Sequence, residues 1–126
     1  MIGGEAMAWL RWQRGRQENG GKDYFKMLLA RSARLRFDCY LLRYPATSGL
    51  DEHVDPAPDG FEHHRINIIL RQPASGGLFL CDLAIIDTPR LKYFRPDIHP
   101  HRVTEGVGER LVLSFGWLRK VGAGKD

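Results

Sequence analysis

Arg65-Ile66-Asn67-Ile68-Ile69-Leu70, followed by Pro73-Ala74-Ser75-Gly76-Gly77 and then Leu78-Phe79-Leu80-Cys81-Asp82, is the stretch that decides the fold class. A short apolar run closed by turn residues and followed by another apolar run reads as strand, tight turn, strand. The same grammar extends outward in both directions. Leu35 to Tyr44 and Leu50 to His53 precede it, and Ala84 to Asp87, Leu91 to Phe94, His101 to Thr104 and Leu111 to Trp117 follow. Turn signals at Pro45/Gly49, Pro56 to Gly60, Thr88-Pro89, Pro96 and Gly106/Gly108 separate these runs. Short strands with tight turns and no helical crossovers predict a mainly β domain, an antiparallel sandwich or jelly roll rather than a parallel α/β sheet.

The N-terminal part reads differently. Trp9 and Trp12 sit in a short helical pattern, and Gln13 to Gly21 is polar and glycine-rich, as in a loop. Asp23 is placed to cap a short amphipathic helix through Ala33, with Tyr24, Met27, Leu28 and Arg31 at helical spacing. The expected organisation is therefore a single domain over 1–126, with a loop and one or two short helices in 1–34 and a jelly-roll core over 35–118.

A chain of 126 residues can bury one core and is too short for a catalytic domain plus a separate binding domain. Nineteen basic against 15 acidic residues give a net charge of +4 and a pI near 9.3. That excess is mild, and Arg11, Arg14, Arg16, Arg31, Arg34 and Arg36 are scattered rather than run together as in a nucleic-acid arm. Cys39 and Cys81 lie inside apolar runs without metal-type spacing, so both read as reduced core thiols in a reducing compartment. With no charged leader and no apolar window long enough to span a bilayer, a cytoplasmic protein without membrane attachment is expected.

One pair of residues carries chemistry. Side chains alternate along a strand, so His53 and Asp55 point to one face while Val54 points to the other. An imidazole and a carboxylate so placed can share a metal ion. They also fit a solvated acidic loop, since Asp51, Glu52 and Asp59 lie close by.

Four segments in order set this pair in a wider pattern. Leu42-Arg43-Tyr44-Pro45 leads into Gly49-Leu50-Asp51-Glu52-His53-Val54-Asp55. Arg65 to Leu70 is followed by the double-glycine start Gly76-Gly77-Leu78-Phe79-Leu80. Phe94-Arg95-Pro96 precedes His101-Arg102-Val103, and Gly108-Glu109-Arg110-Leu111-Val112-Leu113-Ser114-Phe115-Gly116-Trp117 closes the series. In this order they resemble the 2-oxoglutarate and Fe(II)-dependent oxygenase superfamily, in its prolyl 4-hydroxylase-like branch. That resemblance implies a double-stranded β-helix, the cupin-like jelly roll. It implies His53, Asp55 and His101 as the catalytic facial triad on Fe(II), a ligand set that leaves about three coordination positions open. It further implies Arg110 as the cation that grips the distal carboxylate of the co-substrate 2-oxoglutarate, with ascorbate as an optional accessory.

The implied activity is hydroxylation of a protein side chain or small molecule with release of succinate and CO2. Tyr44 and Asn67 are the further co-substrate candidates. Each has a plain alternative, Tyr44 as a half-buried aromatic and Asn67 as a backbone-satisfied amide. His101 stands nine residues before Arg110, one fewer than the family pattern, so His99 stays open as the distal ligand; the proline spacing and the following Arg-Val favour His101. Val112 occupies the position where the family often has a serine. These departures leave room for a non-catalytic cupin-like metal or ligand-binding module, and less so for an oxidative nucleic-acid demethylase. His63, His64, Arg65 and Arg102 read as surface or sheet-edge groups, and Trp9, Trp12 and Trp117 as core or lid. Substrate choice falls to Met1 to Arg34 and Pro56 to His64, and a homodimer that completes the site or covers a sheet edge is compatible with the length.

Overall fold

The computed structural model describes residues 11–15, 24–45 and 49–121, and every described element is a strand. In chain order they are β1 (Trp12–Gly15), β2 (Tyr24–Ser32), β3 (Phe37–Tyr44), β4 (Leu50–His53), β5 (Phe61–Arg71), β6 (Ser75–Gly76), β7 (Phe79–Leu80), β8 (Ile86–Asp87), β9 (Leu91–Phe94), β10 (His101–Val103), β11 (Gly106–Val107) and β12 (Arg110–Lys120). A seven-stranded sheet has the order β1-β2-β3-β12-β5-β9-β8, facing a three-stranded sheet β4-β10-β7, with β11 and β6 forming a short ribbon. Sequence-distant strands lie side by side, as β3, β12 and β5 do, and the described pairings are antiparallel. This is a jelly roll, as the strand pattern predicts. Among the described residues no helix is long and apolar enough to cross a membrane.

The expected helix from Asp23 to Ala33 is instead β2, and Trp12 opens β1; Trp9 lies outside the described residues. Tyr24, Met27, Leu28 and Arg31 fit helical spacing, but a short apolar run is ambiguous between the two periods. Here β1 on one side and β3 on the other supply the backbone partners that a helix would have supplied internally. The pairing of β2 with β3 slips by one residue between Leu28 and Ala30, a bulge that leaves Leu29 extra. Before the bulge Leu28 stands opposite Tyr40; after it Arg31 stands opposite Asp38.

The two sheets close over Tyr44, Phe79, Cys81, Phe94 and Val103, with Tyr24, Leu42, Leu50 and Ala84 packed against them. Leu28, Ile69 and Val112 are buried as well. Both cysteines are free, Cys81 buried and Cys39 half-buried. The Gly76-Gly77 turn is demanded by geometry. Both residues have positive φ, 67° and 62°, and a Cβ on Gly76 would overlap the Glu105 carbonyl.

Candidate metal centre

Because β4 and β10 are antiparallel neighbours with His101 directly opposite His53, two imidazoles from distant parts of the chain meet on one face. Their ring centroids are 4.3 Å apart. Asp55 lies just beyond the end of β4. Its backbone N–H donates to the Pro96 carbonyl at 2.7 Å, which ties the exit of β4 to the turn before β10. The carboxylate thereby stands between the rings: Oδ1 is 3.6 Å from His53 Nε2 and Oδ2 is 3.5 Å from His101 Nε2.

Each imidazole is oriented through its other nitrogen. His53 Nδ1 bonds the Asp51 carbonyl at 2.7 Å, and His101 Nδ1 bonds the His99 carbonyl at 2.9 Å. A carbonyl can only accept, so Nδ1 carries the proton and a neutral ring keeps its lone pair at Nε2, facing Asp55. Such backbone partners fix tautomer and ring direction in metal-ligating histidines. The three donor atoms lie within 4.8 Å of one another, close enough to share one ion. Burial acts to raise the Asp55 carboxyl, but its closeness to His101 and His53, which attract it whenever their rings are charged, outweighs that and holds the group well below the ordinary carboxylate range. The neighbouring Asp55 carboxylate raises His53 more than burial lowers it. An anionic carboxylate and two neutral imidazoles suit a divalent cation of borderline or hard character, iron included. His99 turns the other way, its Nδ1 accepting the Arg95 backbone N–H at 3.0 Å, outside this cluster.

The cluster opens into a cavity of about 250 Å³ between the sheets, lined among others by Tyr44, Asn67, Arg110 and Ser114. Alternation along β12 turns Arg110, Val112 and Ser114 inward, and alternation along β5 does the same for His63, Arg65, Asn67 and Ile69. Arg110 is 2% exposed, and its Nε and Nη2 have no hydrogen-bond partner among the described residues; neither does Oδ1 of Asn67. Its guanidinium lies 5.2 Å from the Tyr44 ring centroid. Burial lowers its pKa, which Tyr44 partly opposes. Tyr44 is buried, not half-buried, and stacks on Tyr24 at 5.2 Å. Burial pushes its phenol up to about 12, so it stays a neutral donor. A buried, always-charged group with idle donors is costly unless something anionic completes it.

Several expectations change here. Arg65 is no edge charge: it turns into the barrel, where Nη2 pairs with Asp38 at 2.5 Å and Nη1 donates to Ser114 at 2.7 Å. Gly116 makes this possible, since a Cβ there would overlap the Arg65 guanidinium. His64 is buried on the outer face, stacked on Trp117 at 5.3 Å and bonded to Tyr93 and Glu62, and His63 is half-buried beside the cavity. The Asn67 carbonyl oxygen is not backbone-satisfied. Ser114, fully buried, supplies a hydroxyl to the cavity wall where Val112 does not. The inward phase of β5 and β12, fixed by Asn67 and Arg110, is the signal that identifies Arg65 and Ser114.

No protein-family model matches this sequence, and no curated protein matches it. Solved structures do. A prolyl-4-hydroxylase from Pseudomonas putida is 20% identical, with 87% of this chain and 79% of that one covered at a TM-score of 0.64. A cupin 2 conserved barrel domain protein from Rhodopseudomonas palustris is 14% identical over 90% and 78% of the two chains, TM-score 0.62. A predicted oxalate decarboxylase from Thermotoga maritima is 15% identical over 87% and 94%, TM-score 0.63. At such identities the likeness is one of fold, the cupin-type jelly roll.

Proposed function

We propose that this chain is a 2-oxoglutarate- and Fe(II)-dependent dioxygenase that hydroxylates a small molecule or a protein side chain. The observation that carries the reading is Arg110: a buried guanidinium with idle donors in the same cavity as a His–Asp–His cluster. A module that held only a metal would gain nothing from a cation so expensive to bury.

His53, Asp55 and His101 would hold the iron, which when bound supplies the oxidative chemistry that couples decarboxylation of 2-oxoglutarate to insertion of one oxygen atom into a substrate C–H bond. Overall, substrate, 2-oxoglutarate and O2 give hydroxylated substrate, succinate and CO2. The chain's own residues bind and position. Arg110 offers a planar, bidentate fork for the distal carboxylate, and the attraction is strengthened by the low-dielectric surroundings. Tyr44 backs the guanidinium with its ring and keeps its hydroxyl proton at neutral pH. Asn67 offers a further amide to the co-substrate from the same wall. Phe79, Phe94 and Val103 exclude water on the opposite side.

Anaerobic addition of 2-oxoglutarate to protein with full Fe(II) occupancy should produce the weak visible charge-transfer band of the chelate. Iron-replete protein without that band would sink the proposal. In that event the cupin-like binding module, favoured by Val112 at the usual serine position, becomes the better account.

A further inference from the structure

Next to the metal-binding cluster the surface continues into a groove of about 430 Å³. The two spaces share Tyr40 and His63 as walls, and the groove takes in Pro56, the residue after Asp55. Its charged residues are Arg31, Arg36 and Asp38. Asp38 is already paired with Arg65 at 2.5 Å. Neither Arg31 nor Arg36 has a carboxylate within ion-pair distance among the described residues, and those residues therefore give the groove a positive charge.

Two unusual backbone features put those arginines there. Without the bulge at Leu29, the alternation that turns Tyr24 and Leu28 inward would turn Arg31 outward; the extra residue reverses the phase and sets Arg31 opposite Asp38, on the groove side. Arg36 ends the turn between β2 and β3 with φ of 58°, a conformation that normally selects glycine or asparagine. The guanidinium then rests over the Phe61 ring, 5.0 Å from its centroid, an arrangement that leaves its N–H groups free to donate. Lys26, over the Tyr40 ring at 5.6 Å, adds a third cation at the rim between groove and cavity.

We propose that this groove seats the anionic group of the substrate, so that the chain acts on a small organic acid, a carboxylate or phosphate ester with an apolar body. The inference rests on the dioxygenase reading for its chemistry but not for its binding. The groove volume is that of a small-molecule site, and the apolar body would lie along Tyr40 and Pro56 toward the reacting centre while the anion meets Arg31 and Arg36. An acidic peptide is the competing occupant.

The test uses full-length protein loaded with Mn(II) and 2-oxoglutarate, titrated calorimetrically with 4-phenylbutyrate, 4-phenylbutyl phosphate, 4-phenylbutanol and 4-phenylbutylamine. The two anions should bind about tenfold tighter than the alcohol, as two exposed ion pairs allow. Arg31→Gln with Arg36→Gln should abolish that preference without changing the affinity for the alcohol, and Arg31→Glu with Arg36→Glu should reverse it toward the amine. Both side chains are exposed, so these variants should fold. Equal binding of acid and alcohol, or a preference that survives both double variants, overturns the proposal. So does a hexapeptide of alternating Asp and Gly that outcompetes both phenylbutyl anions. Binding of 2-oxoglutarate itself is measured first; its failure would strike the dioxygenase reading, whereas the groove's anion preference can then be read on the Mn(II) protein alone.

Discussion

Replacing Arg110 by methionine should move function and stability in opposite directions. The side chain is 2% exposed, its Nε and Nη2 are without partners among the described residues, and it lies over the Tyr44 ring at 5.2 Å. Removing an unpaired buried charge in favour of an apolar chain of similar length is neutral or stabilising by about 1–4 kcal/mol. Loss of a desolvated cation–π contact takes back about 1–2 kcal/mol. Taking about 2.5 kcal/mol gained against about 1.5 kcal/mol lost, the net expectation for the co-substrate-free protein is about 1 kcal/mol of added stability. At a urea slope of about 1–3 kcal/mol/M this raises the midpoint by about 0.3–1 M. Binding should suffer, because deleting one side of a buried charge pair costs about 2–5 kcal/mol. Taking about 3 kcal/mol, the Kd for 2-oxoglutarate rises by about a hundredfold. Urea titrations followed by tryptophan fluorescence, and calorimetry of 2-oxoglutarate into Mn(II)-loaded protein, read the two effects separately. A variant that is destabilised by more than about 2 kcal/mol and binds 2-oxoglutarate as the parent does would refute the reasoning, since Arg110 would then be a structural cation.

His101→Ala should weaken Mn(II) binding by more than the roughly 10–100-fold that loss of an outer-sphere partner costs, whereas His99→Ala should leave it nearly unchanged; calorimetry of both settles which histidine is the ligand. The metal-free protein should show a distinctive pH profile, because Asp55 raises His53 while His101 and His53 together lower Asp55. The His53 contribution is present below its unfolded value of about 6.5 and fades as pH rises through the raised folded value, while the Asp55 contribution is present above about 3.9 and fades as pH falls. Asp55→Asn should therefore narrow the stability gap between pH 5.5 and pH 8, and urea midpoints that keep the same gap would contradict the pairing. Gly116→Ala should displace Arg65 from Asp38 and Ser114 and cost about 3 kcal/mol. Adding Arg65→Met should recover part of that loss, and strict additivity in the double variant would argue against the overlap.

Much of the scaffold is legible residue by residue. Leu50–His53 and Leu91–Phe94 are bounded by turn residues on both sides, and those strands fall where the turns put them. β5 and β12 run further than their apolar cores, to Phe61 and to Lys120, because each pairs along its whole length with the other and charged side chains tolerate the solvated outer end. β2 is the misreading: its spacing suits a helix or a strand, and only the presence of β1 and β3 on its two edges decides between them. Arg65 and His64 were illegible for a related reason. A charged residue in a strand is exposed by default, and its burial depends on partners that lie far off in sequence: Asp38, Ser114 and a missing Cβ at Gly116 for the one, Trp117 and Tyr93 for the other.

By itself, then, the sequence determines the strand grammar and the shared face of His53 and Asp55, because alternation and turn chemistry are local properties of the chain, and its resemblance to the oxygenases adds two candidate histidines, His99 and His101, and Arg110. The tertiary structure decides the rest. It sets His101 across from His53 through the β4–β10 pairing, encloses Arg110 with Nε and Nη2 unpaired among the described residues, and uses a single extra residue in β2 to bring Arg31 to the groove. These are facts of register and of which strands become neighbours, and register is fixed only when two sheets close over one core.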